Sequence, residues 1–233
     1  MGPVLAFLQA RMGSSRLPGK VLLRIQGKSI LERAIWRLQA ARTLDAVVVL
    51  TTTLSEDDQI LQEAERLGTA VHRGPGLDVL SRFQQAAERF GPRIIVRATA
   101  DNPLIDVGSV DRIVRALKSS DLDYCTENQL PVGAATEAIT AAALRRSDLE
   151  ATEPRHREHV TLYVKEHPEK FRIAFLTPPD ALCSPGLRLT VDTPEDFLFV
   201  EDFIQALPES SLPVPLEQYI RRVKTAARGR SQG

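Results

Sequence analysis

Gln9-Ala10-Arg11-Met12-Gly13-Ser14-Ser15-Arg16-Leu17-Pro18-Gly19-Lys20 stands directly after the apolar run Val4–Leu8. Continuous apolar runs bounded by turn formers read as buried strands, so this stretch is predicted to be the loop that ends a first strand. Gly13, Ser14, Ser15 and Gly19 let backbone N–H groups turn towards one point, while Arg11, Arg16 and Lys20 add positive charge. Such a concave donor set is a phosphate cradle. A solvated loop with ordinary charges has the same composition. Position favours the cradle, because α/β folds bind ligands beyond the carboxyl ends of their strands. The spacing is not G-x-x-x-x-G-K-[ST], since Val21 follows Lys20, and G-x-G-x-x-G is absent too.

Outward from the loop, strand and helix signals alternate. Ser29 with Glu32 spells a capping box ahead of Ile30, Leu31, Ala34, Ile35 and Leu38 at helical spacing. Ala46–Leu50 is a second buried run ending in Thr51-Thr52-Thr53, and Ser55-Glu56-Asp57-Asp58 opens an acid-rich helix that Gly68 stops. Ala70–His72 is a short third strand. Asp78 opens a helix closed by Gly91, Ile94–Ala98 is a fourth strand, and Val107–Leu117 repeats the helical pattern. This is a doubly wound α/β fold with a mostly parallel sheet. Right-handed crossovers put the loops after Leu8, Leu50 and Ala98 at one end of it, where Arg11, Thr52 and Asp101 should converge.

From about Tyr124 the alternation breaks. Helices are expected near Ala141–Leu149 and Arg157–Glu166, and strands at Phe171–Leu176 and Leu187–Val191. The region 124–186 reads as an elaboration for an acceptor within a single domain, 1–227. A last helix, Leu216–Ala227, precedes a frayed polar tail, 228–233.

Thirty basic against thirty acidic residues in a chain of 233 leave no overall field for a nucleic-acid partner. Cys125 and Cys183 have no C-x-x-C spacing and suggest free thiols in a reducing compartment. No apolar run approaches the ~20 residues that span a bilayer. A soluble cytoplasmic protein without membrane partners is expected.

Two carboxylates stand out. Asp101 ends the fourth strand just before Pro103, where an Asx turn is the competing explanation. In Asp192-Thr193-Pro194-Glu195-Asp196, Thr193 and Asp196 suffice to cap a helix with Pro194 at its first position, which leaves Asp192 free. Two carboxylates facing a cationic loop suit a Mg²⁺ ion shared with phosphate oxygens. His156 and His159 have helical metal-pair spacing but lack a third ligand, and Asp121-x-Asp123 precedes its strand instead of following one, so neither is taken as a metal site.

With these residues in place, the chain resembles the cytidylyltransferases that make CMP-activated sugars, most closely the branch of spore coat polysaccharide biosynthesis protein F. Gln9–Lys20, Asp78–Arg82, Arg97–Asp106 and Arg188–Phe197 carry the resemblance in order across nearly the whole chain. It implies a Rossmann-like, GT-A-type nucleotidyltransferase fold, CTP as donor, Mg²⁺ as cofactor and a homodimer paired through the elaborated region. It also implies a nucleotide site built from Ala10, Arg11, Met12, Gly13, Ser14, Ser15, Arg16 and Lys20, bordered by Thr52, Arg73, Asp78 and Arg82. Lys20, Arg11 and Arg16 would be catalytic, and Asp101 and Asp192 would hold metal. Glu137, Arg157 and His159 would meet the sugar or sugar acid. The Ser-Gly-Thr-Asp-Arg signature of Kdo cytidylyltransferases is replaced by Asp78–Arg82, which disfavours Kdo, and Asn102 replaces a usual Cys. A glycosyltransferase that consumes a nucleotide sugar, or an inactive nucleotide-binding protein, would use the same fold class.

Overall fold

A computed structural model describes residues 2–208 and 212–230, with side chains as far as 223. The strands expected from the apolar runs form as β1 (Val4–Gln9), β4 (Ala46–Thr52), β5 (Ala70–Gly74) and β6 (Ile94–Thr99). A two-stranded ribbon, β2 (Arg24–Ile25) and β3 (Lys28–Ser29), leads into α1 (Ile30–Gln39). Between the strands lie α2 (Asp58–Arg66), α3 (Val79–Phe90) and α4 (Val107–Ser119). The predicted caps are present on α1 and α3, where Ser29 accepts from Glu32 N and Asp78 from Ser81 N, and α4 has a further one, Asp106 accepting from Ser109 N. The return half of the Ser29 box does not form, because the Glu32 carboxylate pairs with Arg66 at 2.7 Å.

The sheet has the order β5-β4-β1-β6 in parallel, then β8 (Glu137–Thr140), β7 (Tyr124–Glu127) and β9 (Ile173–Leu176). β8 pairs antiparallel with both β6 and β7, while β9 runs parallel to β7. The elaborated region thus extends the main sheet, and two of its strands, β7 and β8, carry no local signal strong enough to be foreseen. Alternate residues of single strands enter different cores, as burial on both faces requires. Val4, Ala6 and Leu8 pack with α1, α2 and α4, whereas Leu5 and Phe7 pack with α3 and the helix α5 (Ala141–Glu150).

Two expectations are corrected. The helix expected over Arg157–Glu166 is two short ones, α6 (Pro154–Glu158) and α7 (Leu162–Glu166), because His159 leaves helical geometry at φ −101° and ψ 86°. Leu187–Val191 is extended but forms no strand. It makes one parallel bridge, with Val132 N donating to Leu187 O and Leu189 N to Val132 O. The partner segment cannot continue a ladder, since Pro131 lacks an N–H and Gly133 turns away at φ +91°.

That segment is anchored by packing instead. Leu189 and Val191 are fully buried against α8 (Pro194–Gln205) and α9 (Leu216–Arg230), each contributing roughly 1.5–3 kcal/mol. α9 continues three residues past the expected end at Ala227; of the tail, 231–233 lie outside the described residues.

Gly133 sets how close this anchored segment lies to the sheet. A Cβ there would sit 2.6 Å from Thr190 N and 2.9 Å from Asn102 Oδ1, on a backbone that already favours glycine. Gly133→Ala is expected to destabilise the protein by roughly 1–3 kcal/mol in denaturant unfolding. Wild-type stability would mean that the segment is not held this tightly.

Candidate active site

Between β1 and β6 the strand order reverses, and Gln9 lies level with Thr99. The loops after these strands therefore part around a crevice, the usual ligand position in open α/β sheets. The crevice is a cleft of about 510 Å³. On one side the predicted loop contributes Ala10, Arg11, Gly13, Ser14, Ser15, Arg16 and Lys20; opposite lie Asp101 and Asp192, and of the other predicted residues Arg82 and His159 also line the cleft.

At the centre of the cleft Lys20 Nζ donates to Asp101 Oδ2 at 2.8 Å and to Asp192 Oδ1 at 2.7 Å. Lys20 is buried, whereas Arg16, 3.3 Å from Asp192, has a side chain 62% exposed and free to reach into the cleft. Asp192 is available because capping is done elsewhere: Thr193 and Asp196 form the reciprocal box at the start of α8. Arg188 binds its second oxygen. Burial alone would raise the pKa of Asp192, but the hydrogen bond from Lys20 and the charges of Lys20, Arg16 and Arg188 outweigh it and hold the carboxyl below its ordinary range.

Arg82 is 2% exposed, and burial, reinforced by the charge of Arg11, pushes its pKa down to about 10. Its Nε, like that of Arg97, is buried with no acceptor among the described residues. Two orphaned donors at the wall of a cationic cleft suit an anion that accepts hydrogen bonds.

The carboxylate pair also fits a hard divalent cation. Its ligands are oxygens and a cationic group already lies between them, while no cluster of three His, Cys, Asp or Glu that could hold a metal occurs among the described residues. Mg²⁺ sites typically use one or two carboxylates, with water and phosphate oxygens completing the shell.

Other predicted residues lie outside the cleft wall. Met12 turns its N–H onto Asp57 at 2.6 Å, and Thr52 is buried against the same carboxylate instead of meeting Arg11 and Asp101. Arg73 binds the carbonyls of Thr52 and Leu54 and pairs with Asp58. Arg157 is engaged by Asp78 and Asp148, with Nη2 at 2.8 and 2.7 Å, so both Asp78 and Arg157 act as a clamp between α3 and α6. His156 and His159 diverge: His156 is buried with Nε2 2.8 Å from Glu166, and His159 faces the cleft. Asp121 and Asp123 pair with Arg172.

Sequence reasoning gave no role to Gln9, Arg97, Thr99 and Glu158, which also line the cleft. Arg97 carried a readable signal, a cation interrupting an otherwise apolar strand two residues before its end.

The sequence pattern of the cytidylyltransferase family matches residues 5–227. The chain belongs to the cytidylyltransferase family. Spore coat polysaccharide biosynthesis protein SpsF of Bacillus subtilis is 34% identical over 214 residues, 90% of this chain and 89% of that protein. A cytidylyltransferase from Leptospira borgpetersenii superposes with a TM-score of 0.87 at 31% identity, covering 99% of this chain and 96% of the other. A CMP:2-keto-3-deoxy-manno-octonic acid synthetase complexed with CTP shares the fold, with a TM-score of 0.68 at 18% identity over 88% of this chain and all of the other. The chain is thus a nucleotidyltransferase with the Rossmann-like architecture expected of it.

Beside the main cleft this cytidylyltransferase has a second cavity, of about 300 Å³, that shares Arg97 and Thr99 with it. Glu137 is its half-buried hub. Oε1 accepts from Tyr124 Oη at 2.6 Å, Thr161 Oγ1 at 2.8 Å and Lys165 Nζ at 3.0 Å, and Oε2 accepts from Arg97 at 2.5 Å. Burial would raise its pKa, but Arg97, Lys165 and the Tyr124 hydroxyl bring it down to about 2. A depressed carboxyl stabilises the fold fully above its ordinary pKa, about 4.5 in the unfolded chain, and loses that contribution as pH falls towards 2. Wild type should therefore melt above Glu137→Gln at pH 7, with the gap narrowing from about pH 5 to pH 3. A gap that stays constant with pH would remove the ionised Glu137 from the account.

Proposed function

We propose that this protein transfers CMP from CTP to the anomeric hydroxyl of a sugar or sugar acid and releases pyrophosphate, in the biosynthesis of a surface polysaccharide or another glycan. The observation that carries the reading is the pairing of a Gly/Ser/Arg loop with two carboxylates across one cleft, in a chain of the cytidylyltransferase family. The comparison with SpsF, a spore coat polysaccharide biosynthesis protein, and with a synthetase complexed with CTP supports the donor and the pathway class.

In this reading the acceptor oxygen attacks the α-phosphorus, the bond to the β-phosphate oxygen breaks, and the acceptor proton leaves to solvent. Lys20 neutralises charge at the α-phosphate. Arg16 and the Gly13–Ser15 amides hold the departing pyrophosphate, while Arg11 and Arg82 offer donors to the nucleotide. Asp101 and Asp192 would hold Mg²⁺, which when bound supplies further charge neutralisation on the phosphate oxygens. The acceptor would occupy the second cavity, where Arg97 and Thr99 border both compartments and Glu137 and Lys165 meet its hydroxyls.

The assembly would be a homodimer paired through 124–186, supported by β9 standing as the outer strand of the sheet with Phe175 47% exposed. A cytoplasmic setting is supported by Cys125 and Cys183 as free thiols. No helix among the described residues is long and apolar enough to cross a membrane.

Following pyrophosphate from each nucleoside triphosphate with a panel of sugars and sugar acids, in Mg²⁺ or EDTA, tests the proposal. CTP with one acceptor class should give a metal-dependent signal, and Lys20→Ala and Asp192→Asn should each lower turnover by a factor on the order of 10²–10³. Near-wild-type release by both variants would overturn the assignment of Lys20 and Asp192. A panel without any metal-dependent release would overturn the activity.

A further inference from the structure

Asp57 lies on a single 3-10 turn between β4 and α2, in an acidic run whose residues read from sequence only as a helix start. The structure gives it a different use. Its carboxylate is fully buried, with Oδ1 accepting the Met12 N–H at 2.6 Å and Oδ2 accepting both the N–H and the hydroxyl of Thr52, the last residue of β4. Thr52 Oγ1 in turn accepts Leu54 N at 3.2 Å, and Asp57 N donates to Leu54 O. The acid is therefore fixed to the sheet before it reaches the loop.

The Met12 peptide is held from both sides. Its N–H goes to Asp57, and its carbonyl accepts the N–H of Gly19, a left-handed residue at φ +68° immediately before Lys20. The loop passes close against the same turn at Gly13, where an added Cβ would lie 3.1 Å from Glu56 Oε1. A charge-assisted hydrogen bond to a backbone N–H is among the stronger kinds, and a buried carboxylate deprived of its donors is costly. Negative charge beneath the loop also offsets the mutual repulsion of Arg11 and Arg82, since Asp57 acts on Arg82 against the influence of Arg11.

We infer that Asp57 is a positioning residue for the nucleotide loop, acting through the Met12 peptide on Arg11 on one side and on Gly19–Lys20 on the other. It touches no reacting atom. Through it the end of β4 sets the shape of the loop after β1 beyond Ala10, whose own N–H donates to Leu50 O of β4 at 2.9 Å. The inference rests on the proposed reading of the loop as a nucleotide site, and its test separates the two.

Asp111 supplies an internal control. It is buried, though less completely, and its Oδ1 accepts the N–H and hydroxyl of Thr43 at 2.9 Å each while Oδ2 pairs with Arg115, but Thr43 lies before the start of β4, at the end opposite Thr52. Asn keeps the shape at either position: at 57 its amide must face the donors of Met12 or of Thr52, and at 111 it faces the Arg115 guanidinium while the carbonyl oxygen stays on Thr43. The measurements are CTP affinity by calorimetry with Mg²⁺, hydrogen exchange at the Met12 and Gly19 amides, and melting temperature, for wild type, Asp57→Asn and Asp111→Asn.

Asp57→Asn should weaken CTP by about tenfold, because it sets a buried amide donor against a donor of the loop or of Thr52 and shifts the groups that meet the nucleotide. It should also speed exchange at Met12 and Gly19. Asp111→Asn should lower the melting temperature while leaving both readouts at wild-type values. Wild-type affinity and exchange in Asp57→Asn would overturn the inference, as would equal weakening by Asp111→Asn. If wild type itself binds no CTP, the nucleotide reading fails, and the exchange rates alone decide whether Asp57 shapes the loop. Should Asp57→Asn not fold, Thr52→Val, which removes one anchor and keeps the carboxylate, carries the same comparison at a smaller size.

Discussion

The ammonium of Lys20 lies between the carboxylates of Asp101 and Asp192, 81 and 172 residues away in sequence. Holding that contact requires the loop after β1, the turn after β6 and the segment before α8 to be fixed independently, since one ammonium with two partly exposed carboxylates cannot by itself organise three segments of chain. Breaking a fully buried pair costs about 3–5 kcal/mol, but Asp101 and Asp192 retain 26% and 21% side-chain exposure, so solvent screening leaves much less here. Stability comes from the apolar clusters. The ionic contact specifies where the ends of those elements meet.

Each of the three segments has its own fixing device. Gly19 and Met12 close the loop on itself, and Asp57 ties it to β4. Ala100 N continues the β6 register onto Gln9 O, which brings Asp101 to the cleft floor. Val191 N donates to Asp101 O at 2.9 Å, and buried Leu189 and Val191 keep that segment from slipping. The cationic groups divide accordingly. Arg97 and Lys165 share Glu137 in the second cavity, whereas Arg16 stays exposed and Arg82 keeps an orphaned Nε beside the main cleft. Cation capacity is left over where an anion is proposed to bind.

Much of this is legible in the sequence because the signals are local. Alternating apolar runs and helical stripes give β1, β4, β5 and β6 and the helices α1–α4, though not the two-residue strands β2 and β3, and the Thr193–Asp196 box is decisive for Asp192 because it accounts for the neighbouring polar residues. What stays hidden depends on partners far along the chain. Arg157 looks as available as Arg16 in sequence, yet Asp78, 79 residues away, takes its guanidinium. Asp57 looks like any helix-opening acid until the fold brings Met12 to it, 45 residues away. β7 and β8 are four residues each, too short for their periodicity to stand out, and the extended 187–191 stretch has strand composition but a partner built around Pro131 and Gly133.

The cleft is proposed to deliver the α-phosphorus of CTP to an acceptor oxygen. Following CTP labelled in turn at the α- and γ-phosphorus, with the acceptor that supports pyrophosphate release, tests it most directly. α-Label is expected in a CMP-linked sugar and γ-label in pyrophosphate, in equal amounts and only with divalent metal. α-Label in free CMP, or γ-label in inorganic phosphate, would contradict it.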